Sequence, residues 1–302
     1  MSKTTKIWLI VAAVLVVTGL VIFAGVMTVY DYDFTKLSTV TYETNTYEIG
    51  EAFDKISVDV DTTDIKFAPS DDKMCRIQCS ETDKVKYSAS VQDGTLIIDT
   101  VDTRKWYDYI GIFIGKQTMT IYLPQDNYTL ISIDTDTGDI DIPKNFTFEE
   151  IKIDGKTADV ECGASVLKNA EIKLSTGSIK MAELTAEKID FSTATGDINI
   201  NNVNASDNVK IETDTGNISF NKVISKGDFE IESSTGNVKL ENSDAAQIFV
   251  KTSTGNVTGN LLSEKIFLTD TSTGNVSVPK TMSGGRCEIT TSTGNIEIYI
   301  AD

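Results

Sequence analysis

The sequence predicts an all-β protein, a parallel β-solenoid of about 20-residue rungs preceded by one N-terminal transmembrane helix. Three observations predict it. A short Thr-Gly phrase recurs from residue 136 onward at spacings of 19 or 20 residues. Apolar residues alternate with period two at fixed offsets on both sides of most of its glycines. One long charge-free apolar run stands at the N-terminus.

That run extends from Ile7 to Val29 (29 − 6 = 23 residues). At about 1.5 Å per residue it covers roughly 34 Å, enough for a bilayer core of about 30 Å. Lys3 and Lys6 precede it, and Asp31 and Asp33 follow. By the positive-inside rule the N-terminus is cytoplasmic and the rest extracytoplasmic, a single-pass protein of the cell membrane. A cleaved signal peptide is the competing reading. Its apolar region is shorter, about 7–15 residues, and ends in an A-x-A-like site that is absent here. The helix therefore reads as an uncleaved anchor, residues 1–29 with their cytoplasmic stub, followed by a juxtamembrane linker over 30–50.

Residues 51–130 read as irregular N-terminal rungs with a cap, continuous with a regular array over 131–302. Ile56, Val58, Val60, Ile65 and Phe67 reproduce the array's offsets around Thr63-Asp64, a rung without its glycine. The array proper contains Thr137-Gly138, Thr176-Gly177, Thr195-Gly196, Thr215-Gly216-Asn217 and Thr235-Gly236-Asn237. It continues through Thr254-Gly255-Asn256, Thr273-Gly274-Asn275 and Thr293-Gly294-Asn295, with a degenerate copy at Thr157-Ala158. Seven and five residues before the glycine come pairs such as Val209/Ile211; two and four after come pairs such as Ile218/Phe220. Period two on both flanks is the strand signature with one buried face. The parity breaks at Gly-Asn, where glycine supplies positive φ. One such unit cannot bury its own apolar face, so the units must stack. Parity places the threonine before each glycine inward, its hydroxyl satisfied by its neighbours. The Asn or Asp after the glycine forms a second ladder along the edge. Both ladders read as structural. The last rung ends at Ile298-Tyr299-Ile300 and leaves an exposed edge, a surface for self-association.

The order Ile121-Tyr122-Leu123-Pro124, then Tyr128, then Ile131-Ser132-Ile133-Asp134-Thr135-Asp136-Thr137-Gly138-Asp139-Ile140, followed by Thr-Gly-Asn/Asp rungs, resembles the bacterial toastrack family of putative-adhesin β-strand repeats. The resemblance covers roughly residues 50–300, and the leading anchor fits its membrane-tethered members. It implies a parallel β-solenoid and, for some members, a place in envelope-stress systems. It brings no catalytic motif.

Composition narrows the function. The chain carries 27 Lys+Arg against 45 Asp+Glu and no His, a net charge of −18. Without His there is no Ser-His triad and no imidazole metal ligand. The acidic balance argues against nucleic acid, whose phosphates need a basic face. Cys75 and Cys79 sit four apart on one alternating strand, roughly 13 Å between backbones, too far for a disulfide. Cys162 and Cys287 occupy inward aliphatic positions, so all four read as buried thiols. Asp59, Asp61 and Asp64 crowd one turn and Asp134, Asp136 and Asp139 another. They read as solvated turn acids; calcium binding and a carboxylate hydrolase site are the weaker readings. No cofactor and no enzymatic activity are expected.

The most distinctive segment outside the array is Trp106-Tyr107-Asp108-Tyr109-Ile110-Gly111-Ile112-Phe113-Ile114-Gly115, flanked by Arg104, Lys105 and Lys116. It reads as a loop packed over the open end of the solenoid, or as an exposed aromatic patch that meets a protein or the bilayer interface. Trp106, Tyr107, Tyr109 and Phe113 are the candidate partner contacts. The expected function is a non-catalytic extracytoplasmic binding module, a cell-envelope accessory or stress-sensing component that contacts a membrane protein or envelope component. The alternative is an adhesin or spacer that binds a surface polymer or itself.

Overall fold

The computed structural model describes residues 2–111 and 113–301; Ile112, within the aromatic segment, lies outside the described residues with Met1 and Asp302. The helix Lys3–Val29 is long and apolar enough to cross a membrane. Ser2 caps it by accepting the Thr5 N–H at 3.2 Å. Its large apolar side chains are exposed all round, Met27 excepted. A helix apolar on every side suits a membrane anchor or a signal sequence.

The following chain winds into a solenoid of two facing sheets, one of 14 strands and one of 12. Each regular rung gives one strand to each sheet, such as Val209–Thr215 and then Ile218–Ser225, joined at the Thr-Gly turn. Neighbouring rungs run parallel and in register: Ile211 lies between Phe191 and Ile231, and Ile218 between Ile198 and Val238. The alternating positions interleave as one continuous core containing Phe67, Phe148, Phe191, Phe220 and Phe229. Phe220 and Phe229 meet edge to face, centroids 5.1 Å apart. At about 4.8 Å per strand the stack is roughly 50 Å long. Cys75, Cys79, Cys162 and Cys287 are buried free thiols, and burial pushes each up to about 12.

The turns depart from simple parity. The threonines before the glycines, Thr137, Thr195, Thr215, Thr235, Thr254, Thr273 and Thr293, face solvent. They hold the corner through their backbone: Gly196 N–H donates to Thr215 C=O and Gly216 N–H to Thr235 C=O, both at 2.9 Å. The inward hydroxyl stands two residues earlier. Thr193, Thr213 and Thr252 donate to the carbonyls of Gly177, Gly196 and Gly236 one rung back, at 3.1–3.3 Å. Asp214 and Thr215 both face solvent, so alternation breaks inside the strand, between the paired positions Thr213 and Thr215.

Both ends reverse the chain order. At the N-terminal end the rung Thr95–Asp102 and Thr118–Leu123 lies outside the earlier rung Lys55–Thr62 and Asp64–Pro69. Antiparallel strands then close the stack: Val85–Gln92 on one sheet, Cys75–Glu81 and Glu43–Ile49 on the other. These strands, not the aromatic loop, are the cap, and Glu43–Ile49 comes from the stretch the sequence reads as linker. Glu81 is buried among them and accepts from Asn45 Nδ2 (2.6 Å), Tyr47 OH (2.7 Å) and Tyr87 N–H (2.9 Å).

At the other end the final rung, Gly285–Thr293 with Ile296–Ile300, is not outermost. It lies between the rung Gln247–Thr254 and the rung Lys265–Thr273. The Gly284-Gly285 pair allows this: a Cβ would fall 1.7 Å from Glu264 O at Gly284 and 1.8 Å from Ala246 O at Gly285. The open edge is therefore Lys265–Thr273 and Val276–Ser277, where Ile266, Leu268 and Val276 are exposed.

Candidate binding site at the aromatic loop

In the rung nearest the capped end, residues 103–117 replace the tight Thr-Gly turn between strands Thr95–Asp102 and Thr118–Leu123. Gln117 C=O accepts the Asp64 N–H at 3.0 Å, so the long loop still joins the turn backbone. A 3-10 turn, Trp106–Tyr109, projects the aromatic side chains. Two ion pairs hold its base. Asp102 accepts from Arg104 Nη2 at 2.6 Å and from Tyr109 OH at 3.3 Å. Asp108 accepts the Lys105 N–H at 2.8 Å and pairs with Lys84 Nζ. Arg104 beside Asp102 holds that carboxyl below the usual carboxylate range, and the Lys105 N–H and Lys84 do the same at Asp108. Arg104 also stacks 4.6 Å from the Tyr109 ring centroid.

The loop's rear lies on the juxtamembrane chain. Gly115, at φ +137°, has the Tyr42 ring where a side chain would stand, 2.5 Å from an ideal Cβ. Gly111 meets Thr39 Oγ1 in the same way, and Ile114 N–H donates to Ser38 Oγ at 3.4 Å. The outer face is open: Trp106 is 78 % exposed, Tyr109 55 %, Tyr107 48 % and Phe113 45 %. The structure thus brings all four predicted contact residues to one loop. Sequence reasoning missed that this loop packs on residues 38–42; the glycines at 111 and 115 were its only trace.

A groove of about 620 Å³ leads from Tyr42, Phe113 and Lys116 onto the turn ladder at Gly138, Asp139 and Gly177. The ladder is continuous over much of its length. Asp64 Oδ1 accepts the Asp139 N–H (3.1 Å), and Asp139 Oδ1 accepts the Asp159 N–H (3.2 Å). Farther along, Asn217 Oδ1 accepts from Asn237 N–H, Asn237 from Asn256, Asn256 from Asn295 and Asn295 from Asn275, all at 2.8–3.0 Å. The adjacent carboxylates Asp64, Asp139 and Asp159 repel at this spacing, whereas an amide adds a bond, as Asn237 Nδ2 does to Asn217 Oδ1 at 3.2 Å. The turn acids are engaged as well: Asp64 also accepts from Lys116, and Asp136 pairs with Lys156. Among the described residues no three His, Cys, Asp or Glu side chains converge on a point that could hold a metal ion.

The model of the family described as Toastrack DUF4097 matches residues 53–298. No curated protein matches the sequence. Among solved structures, the chain is similar to a putative adhesin from Bacteroides fragilis at 16 % identity and TM-score 0.47, over 86 % of this chain and 97 % of that one. A putative adhesin from Parabacteroides merdae aligns at 14 % identity and TM-score 0.49, over 88 % and 98 %. One from Parabacteroides distasonis aligns at 14 % identity and TM-score 0.48, over 87 % and 98 %.

Proposed function

The chain belongs to the Toastrack DUF4097 family, and from that membership we propose that it is a non-catalytic binding module of the cell envelope. In this reading the helix Lys3–Val29 anchors it in the membrane with the N-terminus cytoplasmic. The solenoid stands outside and acts by contact close to the membrane, as an accessory or stress-sensing component. The observation that carries the reading is the aromatic loop. It replaces the tight turn in the rung beside the cap, the end of the stack to which the helix connects, and it turns Trp106, Tyr107, Tyr109 and Phe113 outward. A structural turn would bury such rings or lack them.

The test is photo-crosslinking in native membranes from a probe at position 106, with a second probe at position 256 on the turn ladder. Adducts from 106 to a membrane component support the reading. Adducts from 256 alone, or from neither, refute it.

A second reading, an adhesin or spacer that self-associates, draws on the open edge Lys265–Thr273. Residues 261–283 carry two acids and two bases in a chain of net charge −18, so two copies meet there without the general repulsion. Leu268→Cys should then cross-link between copies; a monomer-only product refutes this second reading.

A further inference from the structure

We propose that the aromatic loop is a membrane-interface contact, and that Trp106 and Ile110 enter the headgroup region of the same bilayer that the N-terminal helix crosses. The inference rests on the anchored reading above and names its partner as a lipid surface.

Position comes first. The loop is fastened to residues 38–42, and only eight residues, Tyr30 to Leu37, separate Val29 at the helix end from Ser38. Four of them form the 3-10 turn Phe34–Leu37, and Tyr32 N–H bonds back to Met27 C=O at 2.8 Å, so the connection is compact. With about 2.0 Å per residue in the 3-10 turn and at most about 3.5 Å elsewhere, it spans no more than roughly 25 Å. The loop cannot stray far from the membrane surface.

Chemistry comes second. Trp106 is 78 % and Ile110 74 % exposed, and Tyr109 and Phe113 flank them. Tyr32 and Phe34, at the exit of the helix, are 65 % and 55 % exposed. Trp and Tyr favour the interface, where the ring body is apolar and its polar edge stays wet. Charge comes third. Residues 103–117 hold Arg104, Lys105 and Lys116 against Asp108 alone, a net +2, in a chain that is otherwise strongly anionic. Asp108 is itself paired with Lys84, Arg104 with Asp102 and Lys116 with Asp64, so the loop together with its ion-pair partners carries a net +1. A cationic aromatic loop on an acidic body fits an anionic lipid surface, which the rest of the solenoid would avoid. A water-soluble protein partner would not require the loop to be tied to the juxtamembrane chain.

The chain has two tryptophans, Trp8 in the helix and Trp106 in the loop, and they separate the two claims. The full chain is reconstituted in phosphatidylcholine–phosphatidylglycerol vesicles, with and without lipids brominated near the headgroup end of the acyl chain. Trp106→Phe leaves Trp8 to report the anchor; Trp8→Phe leaves Trp106 to report the loop. The expected result is bromine quenching of both, with Trp106 also shielded from iodide. Ile110→Asp in the Trp8→Phe background should cut the Trp106 quenching by about twofold or more, because a carboxylate resists entry. Quenching of Trp8 with none of Trp106 would overturn the proposal and leave the anchor standing. Quenching of neither would overturn both. Quenching of Trp106 that Ile110→Asp leaves unchanged would overturn the loop as the inserting element.

Discussion

Replacing Gly216 by Ala tests the packing logic of the whole stack. An added Cβ would stand 1.9 Å from Gly196 O and 2.5 Å from its carbonyl carbon, and no side-chain carbon tolerates less than 3.0 Å. The corner would have to open by about 1 Å. Two hydrogen bonds fix the spacing to the rung below, Gly196 N–H to Thr215 C=O and Ile198 N–H to Asn217 C=O, each 2.9 Å. Weakening both costs about 1–3 kcal/mol. Holding Ala at φ +157° adds about 1–3 kcal/mol. The expected loss is therefore about 2–6 kcal/mol, larger than an exposed-loop Gly→Ala change would give. Urea unfolding of the full chain in detergent, followed by far-UV circular dichroism, measures it. Hydrogen exchange should show the opening centred on the rungs of Gly196 and Gly216, since solenoid rungs couple to their neighbours. Ala158→Gly is the control: that corner already accommodates a side chain, so the change should cost no more than about 1 kcal/mol. A loss below about 1 kcal/mol for Gly216→Ala would refute close backbone stacking as the reason for these glycines.

Thr135 lies between Val60 and Gly155, and its buried hydroxyl has no partner among the described residues; Thr135→Val should stabilise by about 1 kcal/mol while Thr213→Val, which breaks a bond to Gly196 O, costs about as much, both read by urea midpoints. Glu81→Ala strands three donors, so it should cost about 3 kcal/mol and speed amide exchange across Glu43–Ile49; unchanged exchange there would contradict Glu81 as the clasp of the cap. Burial raises the Cys162 thiol from 9.0 to about 12 and the Tyr87 hydroxyl from 10.0 to about 12. The folded state therefore keeps protons that the unfolded chain releases, and stability should fall as pH rises from about 9 toward 12. Cys162→Ala should flatten that slope. Phe249→Cys with Glu288→Cys should form a disulfide, whereas Phe249→Cys with Leu268→Cys, two rungs apart at roughly 10 Å, should not; the reverse outcome would restore sequential rung order.

Much of this architecture is written in local pattern. Ile218 and Phe220, two and four residues after Gly216, sit where the period places them, and Asp64 and Asp139 share one ladder despite the missing glycine at Thr63. The aromatic segment was likewise conspicuous, because Trp106 and Tyr109 break a composition that otherwise repeats. Residue-level parity was less reliable at the corners, where Thr215 faces outward and Thr213 inward. There two successive residues, Asp214 and Thr215, face solvent within a strand that still pairs at Thr215, and a period of two carries no information about where such a break falls.

The sequence by itself determined the rung, its turn, its buried face and the apolar helix, since each depends on residues within one 20-residue unit. Only the tertiary structure decided how the units are ordered and what closes them. Near-identical rungs have near-identical edges, so local pattern cannot tell whether Gly285–Thr293 or Lys265–Thr273 stacks on Gln247–Thr254. The choice falls to contacts between units: the backbone approach at Gly284-Gly285, the Lys265–Asp244 ion pair at 2.6 Å, and the Glu81 clasp at the opposite end. The same holds for the aromatic loop, which meets Tyr42 and Ser38 because the cap folds back beside it, more than 60 residues away along the chain.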